Sequence, residues 1–230
     1  MLCNRLPCAK VIIFIEKTSV RRRIIWCLGR YCVSLHHTQN RNIYTEQKKV
    51  MKPIFIAGPC VIESEEILDA VASTLVDINR RLGIDIIFKA SFDKANRTSF
   101  SSYRGPGLER GMQMLGDIKD RYGLRITTDI HETYQAEAAA EVCDILQIPA
   151  FLCRQTDLLV AAAQTRRIVN IKKAQFLSGE DMRYPVEKVN KIYAARGVRQ
   201  ECWLTERGNC YGYNNLVVDF RNIPDMLQFT

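Results

Sequence analysis

Short apolar runs that alternate with longer amphipathic segments are the feature that most constrains how this chain can fold. From residue 52 onward there are six such runs: IFIAG (54–58), IDIIFKA (84–90), LRITTDI (124–130), CDILQIP (143–149), IVNIKK (168–173) and ECWLTERG (201–208). Strands that are apolar on both faces and alternate with helices predict an α/β fold, with a parallel sheet and helical crossovers.

Helix signals lie between these runs. Ser64 and the two glutamates after it predict the start of the first helix, because a serine side chain caps backbone N–H groups and carboxylates suit the positive helix end. Gly123 predicts the end of the second helix. A sixth helix is predicted over NLVVDFRNIPDML (215–227), after a Gly/Asn loop.

Two architectures fit this pattern, a doubly wound open sheet and a (βα)8 TIM barrel. The barrel is favoured because no GxGxxG follows the first strand, and because polar residues gather at the carboxyl ends of successive strands. A complete barrel has eight units and about 250 residues. We therefore interpret residues 51–230 as an incomplete TIM-barrel domain with about six βα units, whose first and sixth strands are expected to have unpaired edges.

Residues 1–50 differ in charge from the rest of the chain. They hold ten Lys and Arg against Glu16 and Glu46, a net of 10 − 2 = +8, which equals the formal charge of the whole protein. This basic leader could be a transit peptide, a nucleic-acid-binding arm, or sequence upstream of a start at Met51. The last interpretation is favoured because MKPIFIAGPC opens a strand at once, and the leader is predicted to be disordered or not native.

The cysteines and the hydropathy indicate the compartment. Nine cysteines, an odd number with no CxxC pair, disfavour a disulfide scaffold and a structural zinc finger, and favour a reducing cytoplasm. No apolar run reaches about 18 residues, so neither a membrane-spanning helix nor a membrane partner is expected.

Charged and polar residues follow each predicted strand. They are Cys60, Glu63, Lys89, Ser91, Lys94, Asp129, His131, Gln147, Lys172, Gln175, Glu206 and Arg207. Lysine and arginine are rarely buried unless paired, so their convergence predicts a site for phosphorylated or carboxylated small molecules. Asp93, Asp129 and Glu206 are expected to keep the lysines charged and oriented, and to contribute acid/base chemistry.

Several long motifs carry a family resemblance. IAGPCVIES, FKASFDKANRTS, SYRGPGLE, TTDIHE, DILQIPAFLCRQTDLL, VNIKKAQF and LTERGNCYGYNNLVVDFR together resemble the 3-deoxy-D-manno-octulosonate 8-phosphate (KDO 8-phosphate) synthase family over residues 53–222. The resemblance implies a homotetramer of (βα)8 barrels that condenses phosphoenolpyruvate with arabinose 5-phosphate and water. The product of the family enters lipopolysaccharide in Gram-negative bacteria and a pectic polysaccharide in plants. The resemblance implies no nucleic-acid partner.

The same resemblance implies roles for individual residues. Lys89, Ser91 and Lys94 would hold the carboxylate region of phosphoenolpyruvate, and Lys172 and Arg207 its phosphate. The sugar phosphate would be bound by Asn96, by Arg97, by the hydroxyl of Ser99 or Thr98, and by Arg154 of a neighbouring subunit. Gln147 belongs to the substrate-binding set, and Lys94, Asp129 and Lys89 form the catalytic set.

Cys60 raises the question of a metal. The resemblance implies that members with cysteine here use a divalent metal, whereas members with asparagine do not. The other ligands of the family, a histidine, a glutamate and an aspartate, lie in the seventh and eighth units, which this chain lacks, and His131 belongs to a different motif. We therefore expect weak or absent activity for this chain.

Two rival functions stay open. A synthase that makes 3-deoxy-arabino-heptulosonate 7-phosphate from erythrose 4-phosphate would have a Lys-Pro-Arg-Thr motif, whereas KANRTS has Ala95 and Asn96 before Arg97. The other rival is a non-catalytic fragment whose basic leader binds nucleic acid. It is disfavoured because no basic face interleaved with aromatic residues accompanies the leader.

Overall fold

The computed structural model describes residues 9–14 and 54–230. Within them, one sheet has seven strands in the order β1 to β7. These are β1 (Ala9–Phe14), β2 (Ile54–Pro59), β3 (Asp85–Lys89), β4 (Arg125–Asp129), β5 (Ile145–Ile148), β6 (Ile168–Lys172) and β7 (Cys202–Thr205). The helices between them are α1 (Glu65–Leu82), α2 (Leu108–Tyr122), α3 (Gln135–Val142), α4 (Thr156–Gln164) and α5 (Arg183–Ala195).

The strands β2 to β7 confirm the predicted architecture. Each pairs in parallel with the next strand along the chain, and a helix separates each consecutive pair. A parallel sheet in sequential order, with its helices between the strands, is the repeating unit of a TIM barrel. The six units form a partial (βα)8 barrel.

The outer edge of β2 is occupied by β1. The two strands pair antiparallel over six residues, with Ile12 opposite Ile56. The expectation that the first barrel strand has an unpaired edge is therefore wrong, because a six-residue segment of the leader supplies the backbone partner. The predictions for the rest of the leader fall on residues 1–8 and 15–53, outside the described residues.

The two faces of the parallel sheet bury different clusters. Phe88, Ile126 and Leu146 belong to the large core that the strands share with the helices. Their strand neighbours Ile87 and Ile145 belong to a second apolar cluster with Ile54 and Ile56, packed by Ile168 and Trp203. Successive side chains of a strand alternate between faces. The inner face is therefore apolar near the start of the strands, which leaves the strand ends for polar residues.

The helix signals are confirmed at two positions. The Ser64 hydroxyl accepts a hydrogen bond from the Ile67 N–H at 3.3 Å, at the start of α1. Gly123 has a φ of 64°, and its N–H donates to the Lys119 carbonyl at the end of α2. A left-handed φ is readily adopted by glycine, which explains the stop.

The sixth predicted helix is largely wrong. Residues 209–217 form a hairpin of β8 (Asn209–Cys210) and β9 (Leu216–Val217), and only α6 (Asn222–Met226) is helical. Asn214 has a φ of 57°, a turn conformation that suits the hairpin. Pro224 explains the late start, because proline is tolerated only in the first turn of a helix.

Two further expectations concern cysteines and membranes. Within the described residues, Cys143, Cys153, Cys202 and Cys210 are free thiols. No helix in this part of the chain is both long and apolar enough to cross a membrane.

Candidate active site

Asp129, the last residue of β4, is the centre of a polar cluster on the inner face. Its Oδ2 accepts hydrogen bonds from Lys89 Nζ at 2.9 Å and from Ser91 Oγ at 2.6 Å. Lys94 Nζ lies 3.8 Å from Oδ2, and Lys172 Nζ lies 3.8 Å from Oδ1. We call these five residues the lysine cluster. Three ammonium groups and one carboxylate give it a net charge of +2.

The chain after β3 folds so that two lysines reach the same carboxylate. Ser91 forms a parallel bridge with Val61, which extends the sheet beyond β3. Lys94 N–H donates to the Arg104 carbonyl at 2.7 Å, and Lys94 Nζ donates to Ser91 Oγ at 2.8 Å. Ser91 therefore connects the two lysines to Asp129 while donating its own proton to the carboxylate.

Asp129 is ionised despite its burial. Burial acts to raise the pKa of Asp129, but the charges of Lys89, Lys172 and Lys94 and the hydrogen bond from Ser91 outweigh it and hold the pKa well below its usual range. The carboxylate is therefore suited to orient cations, and unsuited to donate a proton near neutral pH.

A hydrogen-bonded row of polar side chains extends from Asp129 across the next three strands. Gln147 Nε2 donates to Asp129 Oδ1. Gln147 Oε1 accepts from Asn170 Nδ2 at 3.2 Å, and Asn170 Oδ1 accepts from the Thr205 hydroxyl at 2.8 Å. We call Gln147, Asn170 and Thr205 the amide row. Asn170 and Thr205 were not predicted from the sequence. Asn170 stands two positions before Lys172 on the same face of β6, and Thr205 stands two positions before Arg207 at the end of β7.

Glu206 and Asp93 were predicted to orient the cluster lysines, but each forms its ion pair with a different residue. Glu206 Oε1 lies 3.6 Å from Nζ of the fully buried Lys173, and Asp93 binds Arg104. The Lys173 ammonium also donates to three backbone carbonyls and to Asn209 Oδ1. Burial lowers the pKa of Lys173, and the charge of Glu206 opposes that shift. This pair fastens the chain after β6 to the chain after β7.

The predicted sugar-phosphate residues lie on an exposed loop. Asn96, Arg97 and Ser99 are solvent-exposed. Arg97 lines a cavity together with Val61, Glu63, Ser102 and Tyr103. The Tyr103 hydroxyl donates to the Ile62 carbonyl at 3.1 Å, which ties the loop to the chain after β2.

The two predicted arginines differ in position. Arg207 is half-buried and lies two residues after Thr205, at the same end of the sheet as Lys172. Arg154 is exposed after the short 3-10 turn Ala150–Leu152, and its carbonyl accepts from Lys188 Nζ. Arg207 therefore lies at the strand end beside the amide row, whereas Arg154 lies on the surface.

The described residues do not form a metal site. Within residues 9–14 and 54–230, no three His, Cys, Asp or Glu side chains come together in a way that could hold a metal ion. Cys60 is half-buried just after β2. His131 packs its ring against Phe92 at a centroid distance of 6.0 Å, and burial lowers its pKa. A single thiolate does not hold a metal ion by itself, so Cys60 alone does not make a metal site.

Comparison with known proteins gives consistent relatives. The DAHP synthetase I family profile matches residues 37–230. A 2-dehydro-3-deoxyphosphooctonate aldolase of Helicobacter pylori (strain P12) is 54% identical over 193 residues, which cover 80% of this chain and 70% of the relative. The protein of that name from Wolinella succinogenes is 57% identical over 182 residues, 76% of this chain and 69% of the relative. Another, from Fusobacterium nucleatum subsp. nucleatum, is 54% identical over 176 residues, 76% of this chain and 62% of the relative.

The family profile covers most of the chain, and the relatives are more than half identical over about three quarters of it. The partial barrel with its cationic site and these matches lead to one conclusion: the chain belongs to the DAHP synthetase I family.

Proposed function

We propose that this chain is an enzyme that condenses phosphoenolpyruvate with D-arabinose 5-phosphate and water, giving 3-deoxy-D-manno-octulosonate 8-phosphate and inorganic phosphate. The observation that carries the proposal is the lysine cluster, in which three ammonium groups surround one ionised carboxylate at the ends of three barrel strands. The relatives are named 2-dehydro-3-deoxyphosphooctonate aldolase, which supports this choice of substrates.

Phosphoenolpyruvate matches the charge of the cluster, because it carries a carboxylate and a phosphate on one small molecule. Lys89, Ser91 and Lys94 would bind the carboxylate region. Lys172 and Arg207 would bind the phosphate, where arginine contributes a planar bidentate donor and lysine a point charge.

The exposed loop after β3 would bind the sugar phosphate. Asn96, Arg97 and Ser99 lie there, and Arg97 reaches the cavity beside Glu63. Arg154 would complete the sugar-phosphate site of a neighbouring subunit in a homotetramer. Its exposed position on the outside of the described structure is compatible with that role.

The reaction forms one carbon–carbon bond and one carbon–oxygen bond to water, and breaks one carbon–oxygen bond to phosphate. The methylene carbon of phosphoenolpyruvate attacks the sugar aldehyde, whose oxygen takes up a proton. Water adds to the neighbouring carbon, which becomes a ketone as the phosphate leaves, and the two protons of the water balance those taken up by the aldehyde oxygen and the phosphate. Charge that develops on the carboxylate and phosphate side is stabilised by fixed cations, and holding both substrates in contact lowers the entropic barrier. Lys89, Lys94 and Asp129 form the catalytic set, in which Asp129 keeps the lysines in place.

The finer parts of the proposal are a metal and a compartment. Cys60 would contribute one thiolate to a divalent metal, but the described residues lack the other ligands, so no step depends on it. We place the enzyme in the cytoplasm, because its thiols suit a reducing compartment. The family resemblance assigns its product to lipopolysaccharide precursor synthesis.

A phosphate-release assay with two aldoses tests the proposal. We expect slow release from phosphoenolpyruvate with arabinose 5-phosphate, and less with erythrose 4-phosphate. Lys172→Ala should reduce kcat/KM at least tenfold, since a charge-assisted contact contributes about 1.5–3 kcal/mol. Lys191→Ala, at an exposed lysine of α5, is the control. Preference for the four-carbon sugar, or no turnover with either sugar, contradicts the proposal.

A further inference from the structure

We propose that Asn170 and Thr205 are positioning residues that fix the Gln147 amide with its NH2 group towards Asp129, and so hold the lysine cluster in the arrangement that binds phosphoenolpyruvate. This inference rests on the proposed function for its last step. Neither residue is predicted to touch a substrate, and both are buried.

The amide row has one direction. An ionised carboxylate accepts hydrogen bonds and donates none, so Gln147 must present its NH2 group to Asp129. The Gln147 oxygen then needs a donor, which Asn170 Nδ2 supplies at 3.2 Å. The Asn170 oxygen in turn needs a donor, which the Thr205 hydroxyl supplies at 2.8 Å. All three hydrogen bonds of the row are therefore donated in the direction of Asp129.

The reverse arrangement is excluded by charge. If both amides were rotated, the Gln147 oxygen would face the Asp129 carboxylate, and two acceptors would meet in a buried place. A buried polar group that loses its partner costs about 1–3 kcal/mol, and more when a charge is involved. The carboxylate sets this direction, and Thr205 completes it, because its hydroxyl donates to the Asn170 oxygen that faces away from Gln147.

The row controls how the carboxylate is shared. Asp129 Oδ2 accepts from Lys89 and Ser91, while Oδ1 accepts from Gln147 and lies 3.8 Å from Lys172. A fixed donor at Oδ1 keeps the carboxylate plane from turning towards Lys172. Lys172 thereby keeps its ion-pair distance of 3.8 Å from Oδ1, with its charge at the strand end where the substrate phosphate would bind.

Three threonine variants of the full chain test the inference. Thr205→Val removes the hydroxyl at nearly constant shape, and Thr205→Ser retains it. Thr127→Val is the matched control, because Thr127 is buried on the same sheet face and its hydroxyl has no hydrogen-bond partner. Thermal unfolding of all three shows whether each variant folds.

The first measurement is independent of substrate. The side-chain amide signals of Gln147 and Asn170 are followed by 15N–1H NMR spectroscopy. We expect Thr205→Val to shift both pairs of signals. The Gln147 pair is the informative one, because Thr205 reaches Gln147 only through the Asn170 side chain. Thr205→Ser and Thr127→Val should leave the Gln147 pair in place. A Gln147 signal that does not respond to Thr205→Val overturns the inference.

The second measurement is calorimetric titration with each substrate. Thr205→Val should weaken phosphoenolpyruvate binding roughly fivefold, the effect of about one lost hydrogen bond. Arabinose 5-phosphate binding should be unchanged, and Thr205→Ser should restore phosphoenolpyruvate binding. In an Asn170→Leu background, Thr205→Val should add nothing, because the row is already broken. Equal weakening for both substrates, or additive losses, would indicate a structural role only.

Failure of the proposed function would be visible in the wild-type chain. If that chain binds no phosphoenolpyruvate, the proposed function is refuted together with the role of the row in binding. The amide signals would then still decide whether Asn170 and Thr205 orient Gln147. If the wild type binds and Thr205→Val binds equally well, the inference alone is refuted.

Discussion

At the scale of the residue, Asp129 shows why one carboxylate can matter more than several cations. Sequence alone indicated that lysines converge at the strand ends, because each follows an apolar run. It did not indicate which acid they share, since Asp93, Asp129 and Glu206 all stand at strand ends. The structure resolves this through strand register: Asp129 lies beside Gln147 on the next strand, while Glu206 pairs with Lys173 instead.

Asp129→Asn should abolish turnover and destabilise the fold. The change removes the only charged acceptor within the lysine cluster, and breaking a buried ion pair on one side costs about 3–5 kcal/mol. Asp85→Asn is the control, because its pair with Arg125 is partly exposed, with side-chain exposures of 38% and 41%, and a solvent-accessible pair is worth about 0–1 kcal/mol. Urea unfolding and the phosphate-release assay measure both effects. Equal losses for the two variants would show that Asp129 has no special role.

The low pKa of Asp129 predicts how this contribution depends on pH. Lysine charges hold the folded-state pKa well below its usual range, although burial acts in the opposite direction. Below about pH 3.9 the unfolded chain takes up a proton at this carboxyl while the folded chain does not. The free energy of unfolding therefore decreases as the pH is lowered. The difference in unfolding free energy between wild type and Asp129→Asn should be constant from pH 7 to about 5, and smaller near pH 3. A difference that stays constant down to pH 3 would contradict the assignment.

At the scale of the element, periodicity predicted the six strands and the five helices between them, because burial imposes a period on the sequence. The amide row was not predictable in the same way. Asn170 and Thr205 look like ordinary polar residues until the register of β6 and β7 brings them together. The hairpin after β7 was missed because its two-residue strands are too short to show a period.

Gly105 is the glycine on which the substrate loop depends most. Its φ is 127°, and a Cβ there would lie 2.2 Å from the Phe92 carbonyl oxygen. Gly105→Ala should therefore displace the loop that carries Asn96 and Arg97, and should weaken arabinose 5-phosphate binding more than phosphoenolpyruvate binding.

Gly123→Ala is the matched control for backbone strain. Its φ is 64°, but a Cβ there meets no atom within 4 Å. This variant should lose about 1–2 kcal/mol of stability and leave both affinities unchanged. Calorimetric titration with each substrate separates the two variants. If Gly105→Ala binds arabinose 5-phosphate as the control does, the loop does not depend on this contact.

At the scale of the whole molecule, the charge is divided unevenly along the chain. Residues 51–230 carry 23 positive and 23 negative side chains, so the net charge of +8 comes from residues 1–50. Charge analysis indicated that division but not the strand within the leader. Pairing of β1 with β2 depends on backbone hydrogen bonds, which leave little trace in a six-residue segment.

The pairing of β1 with β2 predicts a role for the leader that charge alone does not. Replacing Val11 and Ile12 together by proline removes two backbone donors from β1 and should release the edge of β2. A free edge strand offers unpaired N–H and C=O groups to other chains, so self-association should increase with protein concentration. Light scattering over a concentration series measures this effect.

A second variant separates the strand from the charge. Replacing Arg21, Arg22 and Arg23 by serine lowers the net charge from +8 to 8 − 3 = +5 and leaves the β1 residues unaltered. The serine variant should elute earlier from a cation-exchange column than the wild type, and should self-associate no more than the wild type does. The monomeric proline variant should elute at the wild-type position, because its charge is unchanged. If the serine variant associates and the proline variant does not, the leader acts through charge repulsion, and its pairing with β2 does not protect the sheet edge.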